Sequence, residues 1–117
     1  MPDVVLIGKE WKLRALLRAQ LLEEGIAVEA YETPADAAYA AASGPALIIA
    51  DITSSGNPES ELESLAHWAR FRPTWVVASS VKEGVNPERF ERVIYKPLRL
   101  GDLISEIEDR LRRRRQS

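Results

Sequence analysis

The sequence predicts an α/β fold, a doubly wound parallel sheet of five strands with helices on both faces. Three observations predict it. Short apolar, β-branched runs recur five times along 117 residues. Segments with helical spacing of their apolar residues separate these runs, so the order reads βαβαβαβαβα. Each intervening segment is long enough for a crossover, and a crossover returns the chain parallel to the strand it left.

Val4-Val5-Leu6-Ile7, followed by Gly8, reads as a strand buried on both faces. A helical pattern follows. Leu13, Leu16, Leu17, Gln20 and Leu21 share its inward face, Lys12, Arg14, Arg18 and Glu23 point away, and Gly25 stops it. Ile26, Val28 and Ala30 alternate with Ala27, Glu29 and Tyr31, a strand with one drier face nearer the edge. Thr33 caps the second helix and Pro34 opens it. Its alanines run to Ser43-Gly44, and such small side chains let a helix lie close to the sheet. Residues 46–50, Ala-Leu-Ile-Ile-Ala, form the most apolar strand, ended by Asp51. Residues 59–70 read as a helix with Leu62, Leu65, Ala66 and Ala69 inward. Thr74 to Ala78 is the fourth strand, and Ser79-Ser80 ends it. Asn86-Pro87-Glu88 starts a short helix, and Val93-Ile94-Tyr95 is a brief fifth strand. The last helix carries Leu100, Leu103, Ile104, Ile107 and Leu111.

Composition narrows the function. Apolar residues make up 45%, which suits a globular chain, and the length suits one domain over 1–117. Without cysteine there is no disulfide framework, thiolate metal site or cysteine nucleophile. The single histidine, His67, lies in a helical pattern and reads as an ordinary helix residue. The net charge is −2, but residues 110–117 hold five arginines and no acid. The body, 1–109, therefore carries 11 basic against 18 acidic side chains. An acidic body argues against a nucleic-acid surface, and the basic tail reads as a solvated helix end suited to the helix dipole. No leader pattern opens the sequence, and no run approaches the ~20 apolar residues of a membrane span. The expected location is cytoplasmic.

In open α/β sheets, chemistry collects beyond the carboxyl ends of the strands. Strand one delivers Gly8, Lys9 and Glu10 there; strand three delivers Asp51; strand four delivers Ser79 and Ser80; strand five delivers Lys96-Pro97. A carboxylate ending the most buried strand needs a cation or hydrogen bonds to stay ionised. Lys96 and Lys9 are the available cations, although Lys9 also reads as a solvated loop charge.

Asp51 after ALIIA, a serine after TWVVA and Lys96-Pro97 after VIY resemble the receiver domains of two-component response regulators, over roughly residues 3–113. The resemblance implies a flavodoxin-like fold with strand order 2-1-3-4-5. It implies that Asp51 holds the phosphoacceptor position, that Ser79 and Lys96 are phosphate-contacting residues, and that the Lys96-Pro97 bond is a candidate for the cis form. It also implies a histidine kinase as partner.

This sequence departs from the family pattern. Receivers end strand one with two adjacent acids that hold Mg²⁺ beside the acceptor. Here those positions read Gly8-Lys9, and only Glu10 remains as a weak companion to Asp51. Mg²⁺ demands an octahedral set of oxygens, so no cofactor is expected and Mg²⁺ binding is expected to be weak or absent. The aromatic switch position is Val93, the common proline after the acceptor is Ser55, and the segment from Ser79 to Lys96 is short, which predicts a stunted fourth helix. These features suggest an atypical receiver, or pseudo-receiver, without catalytic residues. It would act as an interaction module whose last strand and flanking helices bind a signalling partner or a second copy. The alternative is a working phosphoacceptor. An enzymatic or small-molecule-binding domain of this fold is disfavoured, because no glycine-rich phosphate loop follows strand one.

Overall fold

A computed structural model describes residues 2–116. The strands are β1 (Val4–Gly8), β2 (Val28–Tyr31), β3 (Leu47–Asp51), β4 (Thr74–Ala78) and β5 (Arg92–Tyr95). The helices are α1 (Trp11–Glu23), α2 (Pro34–Ala42), α3 (Pro58–Ala69) and α4 (Leu100–Gln116). All neighbouring strands are parallel, in the order β2-β1-β3-β4-β5. This is the doubly wound, flavodoxin-like arrangement that the sequence predicts.

The pleat divides the core in two. Val4 and Leu6 face one layer, with Leu17 and Leu21 of α1 and Leu103, Ile104, Ile107 and Leu111 of α4. Val5 and Ile7 face the other, with Ala37, Ala40 and Ala41 of α2 and Leu65 and Ala66 of α3. β1 and β4 are buried along their whole length, which explains their unbroken apolar runs. Fully buried side chains such as Leu21, Leu47 and Ile48 each contribute about 1.5–3 kcal/mol relative to exposure.

Helix ends follow local chemistry. Thr33 Oγ1 accepts from the Asp36 N–H at 3.1 Å and caps α2. Gly25 ends α1 at φ +78°, a conformation glycine adopts without steric cost.

α1 is rotated from the sequence-based expectation. Leu16 is 56% exposed and Gln20 also faces outward. The inward stripe is Leu13, Leu17 and Leu21, each one turn from the next, and it is centred far enough from Leu16 to leave that side chain in water. Arg14, expected to point away, is half-buried beside the stripe and donates to the Gly8 carbonyl at the end of β1.

The fourth crossover has no α-helix. Two short 3-10 turns, Val81–Glu83 and Pro87–Arg89, replace it, and buried Val85 and Phe90 cover the sheet beneath them. Asn86 Oδ1 caps the second turn, accepting from the Glu88 N–H at 3.0 Å. Among the described residues no helix is long and apolar enough to cross a membrane. The end of the basic tail, including the side chains of Arg114 and Arg115, lies outside the described residues.

Candidate functional site

Register brings the site together. Gly8 pairs with Asp51 across β1 and β3, and Lys96 is anchored beside β4 by its own N–H, which donates to the Ala78 carbonyl at 2.8 Å. The Lys96-Pro97 peptide is cis. Asp51 and Lys96, 45 residues apart in sequence, thus meet at the carboxyl edge of the sheet.

The Lys96 ammonium donates to Asp51 Oδ2 at 2.9 Å and to Thr53 Oγ1 at 2.8 Å. Thr53 in turn donates to Asp51 Oδ1 twice, from its backbone N–H at 2.9 Å and its hydroxyl at 2.6 Å. The three side chains close a ring in which both carboxylate oxygens are engaged. The Asp51 side chain is only 10% exposed and that of Lys96 27%, so the pair is partly desolvated. Sequence reading overlooked Thr53. Its signal was the two-residue spacing from an aspartate at a strand end, the spacing at which a carboxylate folds back onto the following backbone.

Ser79 is turned elsewhere. Its hydroxyl donates to Glu83 Oε1 at 2.7 Å, and the same oxygen receives the backbone N–H groups of Ser79 and Ser80, the latter at 2.8 Å. Ser80-Val81-Lys82-Glu83 is the Ser-x-x-Glu spacing of a capping box, here on a 3-10 turn. Burial opposes the charge on Glu83. The Ser79 hydroxyl, the two amides and the nearby Lys96 charge outweigh it and hold the carboxyl below its ordinary range. Glu83 was also overlooked, although the capping-box spacing was present in the sequence.

The strand-one residues diverge. Lys9 is exposed, and its ammonium lies 3.8 Å from where a Cβ on Gly56 would stand, over the loop that follows β3. Among the described residues it makes no ion pair with Asp51 within 4.0 Å. Glu10 caps α1, its Oε2 accepting from the Leu13 N–H at 2.7 Å. A Cβ at Gly8 would come within 3.1 Å of Asp51 Cβ, so the missing side chain there lets the two strands close. Gly8, Glu10, Arg14 and Asp51 border a cavity of about 20 Å³ whose other walls are apolar, Leu13, Leu17 and Val77 among them. That is room for a water and far below the ~300 Å³ of a small-molecule site. Among the described residues no three His, Cys, Asp or Glu side chains cluster as a metal site would require.

A second polar cluster ties β5 to α4. Buried Trp75 donates its indole N–H to Glu91 Oε2 at 2.7 Å. Arg110 grips both oxygens of Glu91 at 2.9 Å. Arg92 pairs with Glu106 at 2.7 Å, its guanidinium 5.7 Å from the Trp75 ring centre. Arg110 therefore departs from the reading of the arginine run as purely solvated, because Glu91 just before β5 provides a carboxylate at its height. Arg110 hydrogen bonding, against burial and aided by Trp75, holds the Glu91 carboxyl below its ordinary range. Val93 is half-buried in β5. His67 is exposed on α3, edge-on to Phe71 at 5.8 Å between ring centres.

No protein-family model matches the chain, and no curated protein matches it. Solved structures do. A CheY-like response regulator receiver domain protein from Methanospirillum hungatei JF-1 is 20% identical with a TM-score of 0.79, covering 99% of this chain and 98% of that one. The signal receiver domain of a putative Luxo repressor protein from Vibrio parahaemolyticus is 24% identical, TM-score 0.74, over 96% and 91%. The inactive form of the regulatory domain of the repressor of iron transport regulator (RitR) is 20% identical, TM-score 0.76, over 96% of both. At these identities the likeness is one of fold: the chain has the fold of response regulator receiver domains.

Proposed function

We propose that this chain is a pseudo-receiver, a signalling interaction module whose acceptor position is occupied by its own side chains. The observation that carries the reading is the ring of Asp51, Thr53 and Lys96. Oδ1 of Asp51 takes two hydrogen bonds from Thr53, and Oδ2 takes the Lys96 ammonium. A carboxylate so engaged is a poor nucleophile until those bonds are broken. The residues present also do not fit Mg²⁺. Gly8 offers no side-chain ligand, Lys9 brings a positive charge, and Glu10 is committed to capping α1. Without the ion, the cation at hand is the Lys96 ammonium, which is already committed to Asp51 and Thr53 and is a single charge where phosphoryl transfer calls on a divalent ion. Ser79, the hydroxyl expected beside the phosphoryl group, serves Glu83.

The partner surface in this reading is β5 with the helix beside it. β5 is an edge strand, and the Trp75–Glu91–Arg110 and Arg92–Glu106 contacts fix it to α4. With Val93 in place of an aromatic reporter, that face holds one arrangement whatever the state of Asp51.

Incubation with acetyl phosphate and Mg²⁺, read by intact mass, tests the proposal. The expected spectrum shows no stable gain of a phosphoryl group. A gain that Asp51→Asn abolishes would overturn the reading and make the chain a phosphoacceptor served by a histidine kinase.

A further inference from the structure

Helix α1 is apolar on two faces. Leu13, Leu17 and Leu21 turn toward the sheet. On the opposite side Trp11, Leu16 and Leu22 are 62%, 56% and 43% exposed, with exposed Ala15 and Ala19 among them. At about 100° per residue, Trp11, Leu22, Ala15, Ala19, Lys12, Glu23 and Leu16 fall in that order within an arc of about 140°. A helix lying on a sheet needs one apolar stripe, and a second apolar run on its far side, here Trp11, Leu22, Ala15 and Ala19, marks a contact surface. Tyr39, Phe71 and Val81 are also exposed, but none belongs to such a stripe.

The outer face of α1 is self-complementary. Lys12 stands at its N-terminal end, Glu23 at its C-terminal end, and the two small alanines flank its middle. We infer that this face pairs with the same face of a second copy of the chain, the two helices antiparallel about a two-fold axis at the height of Leu17. That axis sets Ala15 against the partner's Ala19. It also brings Lys12 within one residue, about 1.5 Å along the axis, of the partner's Glu23, and Trp11 equally close to the partner's Leu22. One register satisfies all three pairs, and two-fold symmetry makes each of them twice. A parallel pairing would put like charges of Lys12 together and like charges of Glu23 together, so charge selects the antiparallel arrangement. Alanines near the centre let the backbones approach, and each tryptophan covers a leucine of the other copy. The contact uses none of the residues around Asp51, so it stands or falls separately from the pseudo-receiver reading.

Sedimentation equilibrium of the full chain, from about 10 μM to about 1 mM, tests the pairing. The native chain is expected to rise from the mass of one chain toward that of two. Ala19→Lys puts a cation near the axis and should hold the chain at one mass throughout. Lys12→Glu should weaken self-association roughly tenfold, because two ion pairs become repulsive. Lys12→Glu combined with Glu23→Lys should recover it. These positions are exposed, and lysine and glutamate are strong helix formers, so the fold is kept. Ala15→Lys reads the same contact should Ala19→Lys not fold. A native chain that stays monomeric, a dimer undiminished by Ala19→Lys, or a double charge swap no better than Lys12→Glu alone would each overturn the inference. The first would leave the face to a different partner, and the second would place the dimer contact elsewhere.

Discussion

The Lys96 ammonium lies 2.9 Å from Asp51 Oδ2 and 2.8 Å from Thr53 Oγ1, so one cation holds the carboxylate and the hydroxyl that caps it. Because Asp51 is only 10% exposed, losing the cation strands a charge with little water to answer it. Lys96→Ala should destabilise the chain by about 1–3 kcal/mol in a urea melt, below the value for a fully buried pair because Lys96 itself is partly solvated.

Asp51→Asn tests the same pair from the other side and carries a sign. In a lysine-neutralised site the amide leaves Lys96 without its anion, and stability should fall by about 1 kcal/mol or more. In a site built of crowded acids for a metal, the same change would relieve repulsion and raise the stability of the metal-free protein. The direction of the shift in the urea midpoint separates the two, and a stabilising Asp51→Asn would refute the lysine-neutralised site.

Thr53→Val keeps the shape of the side chain but removes its hydroxyl. Asp51 Oδ1 loses a 2.6 Å bond and Lys96 loses an acceptor, while the Thr53 N–H bond remains. The expected cost is about 1–2 kcal/mol, and Thr53→Ser should recover most of it. Equal urea midpoints for Thr53→Val and the native chain would show that the Thr53 hydroxyl contributes nothing to stability.

Mg²⁺ titration followed by tryptophan fluorescence or calorimetry should be flat into the millimolar range, because neither Gly8 nor Lys9 supplies a side-chain oxygen and both Asp51 oxygens are engaged. Saturation near micromolar Mg²⁺ would show that the ring opens readily for a metal.

Glu91 gives a pH dependence with a defined direction. Its carboxyl is held below the ordinary value of 4.5, chiefly by the hydrogen bond from Arg110. A group whose folded value is depressed adds stability above its unfolded value and loses it as pH falls through the folded one. The native chain should therefore lose stability below about pH 4.5 more steeply than Glu91→Gln. At pH 7 Glu91→Gln should cost about 1 kcal/mol, discounted for the exposure of this pair. Denaturant midpoints from neutral to acid pH check both, and parallel curves for the two proteins would contradict the assignment.

The element order was legible in the sequence because central parallel strands are buried on both faces, whereas the order of the strands within the sheet rested on the resemblance of the strand-end residues to receiver domains. Val4 to Ile7, 46–50 and 75–78 therefore read as unbroken apolar runs, and parallel strands of this kind joined by crossover helices admit few topologies. The shortness of the chain between Ser79 and Lys96 also pointed to the weak fourth crossover, where two 3-10 turns now stand. The partners of the strand-end residues were less legible. Asp51 had serine and threonine hydroxyls and two lysines within plausible reach, all of similar chemistry. Choosing Thr53 and Lys96 requires knowing the direction of each side chain.

Periodicity is a property of the chain in one dimension, and it was enough to set the class, the sequence of elements and the positions at which strands end. The rotation of α1 is not such a property. Leu16 and Leu17 are the same residue type, about 100° apart around the helix axis, and only the seat of α1 against the sheet buries one and exposes the other. The same holds for Arg14, whose reach to the Gly8 carbonyl depends on that seat, and for Arg110, one of five terminal arginines until α4 lays it against Glu91. Ion pairs and hydrogen bonds act over about 3 Å. Strand register and helix rotation move side chains by more than that, so those contacts belong to the packed molecule.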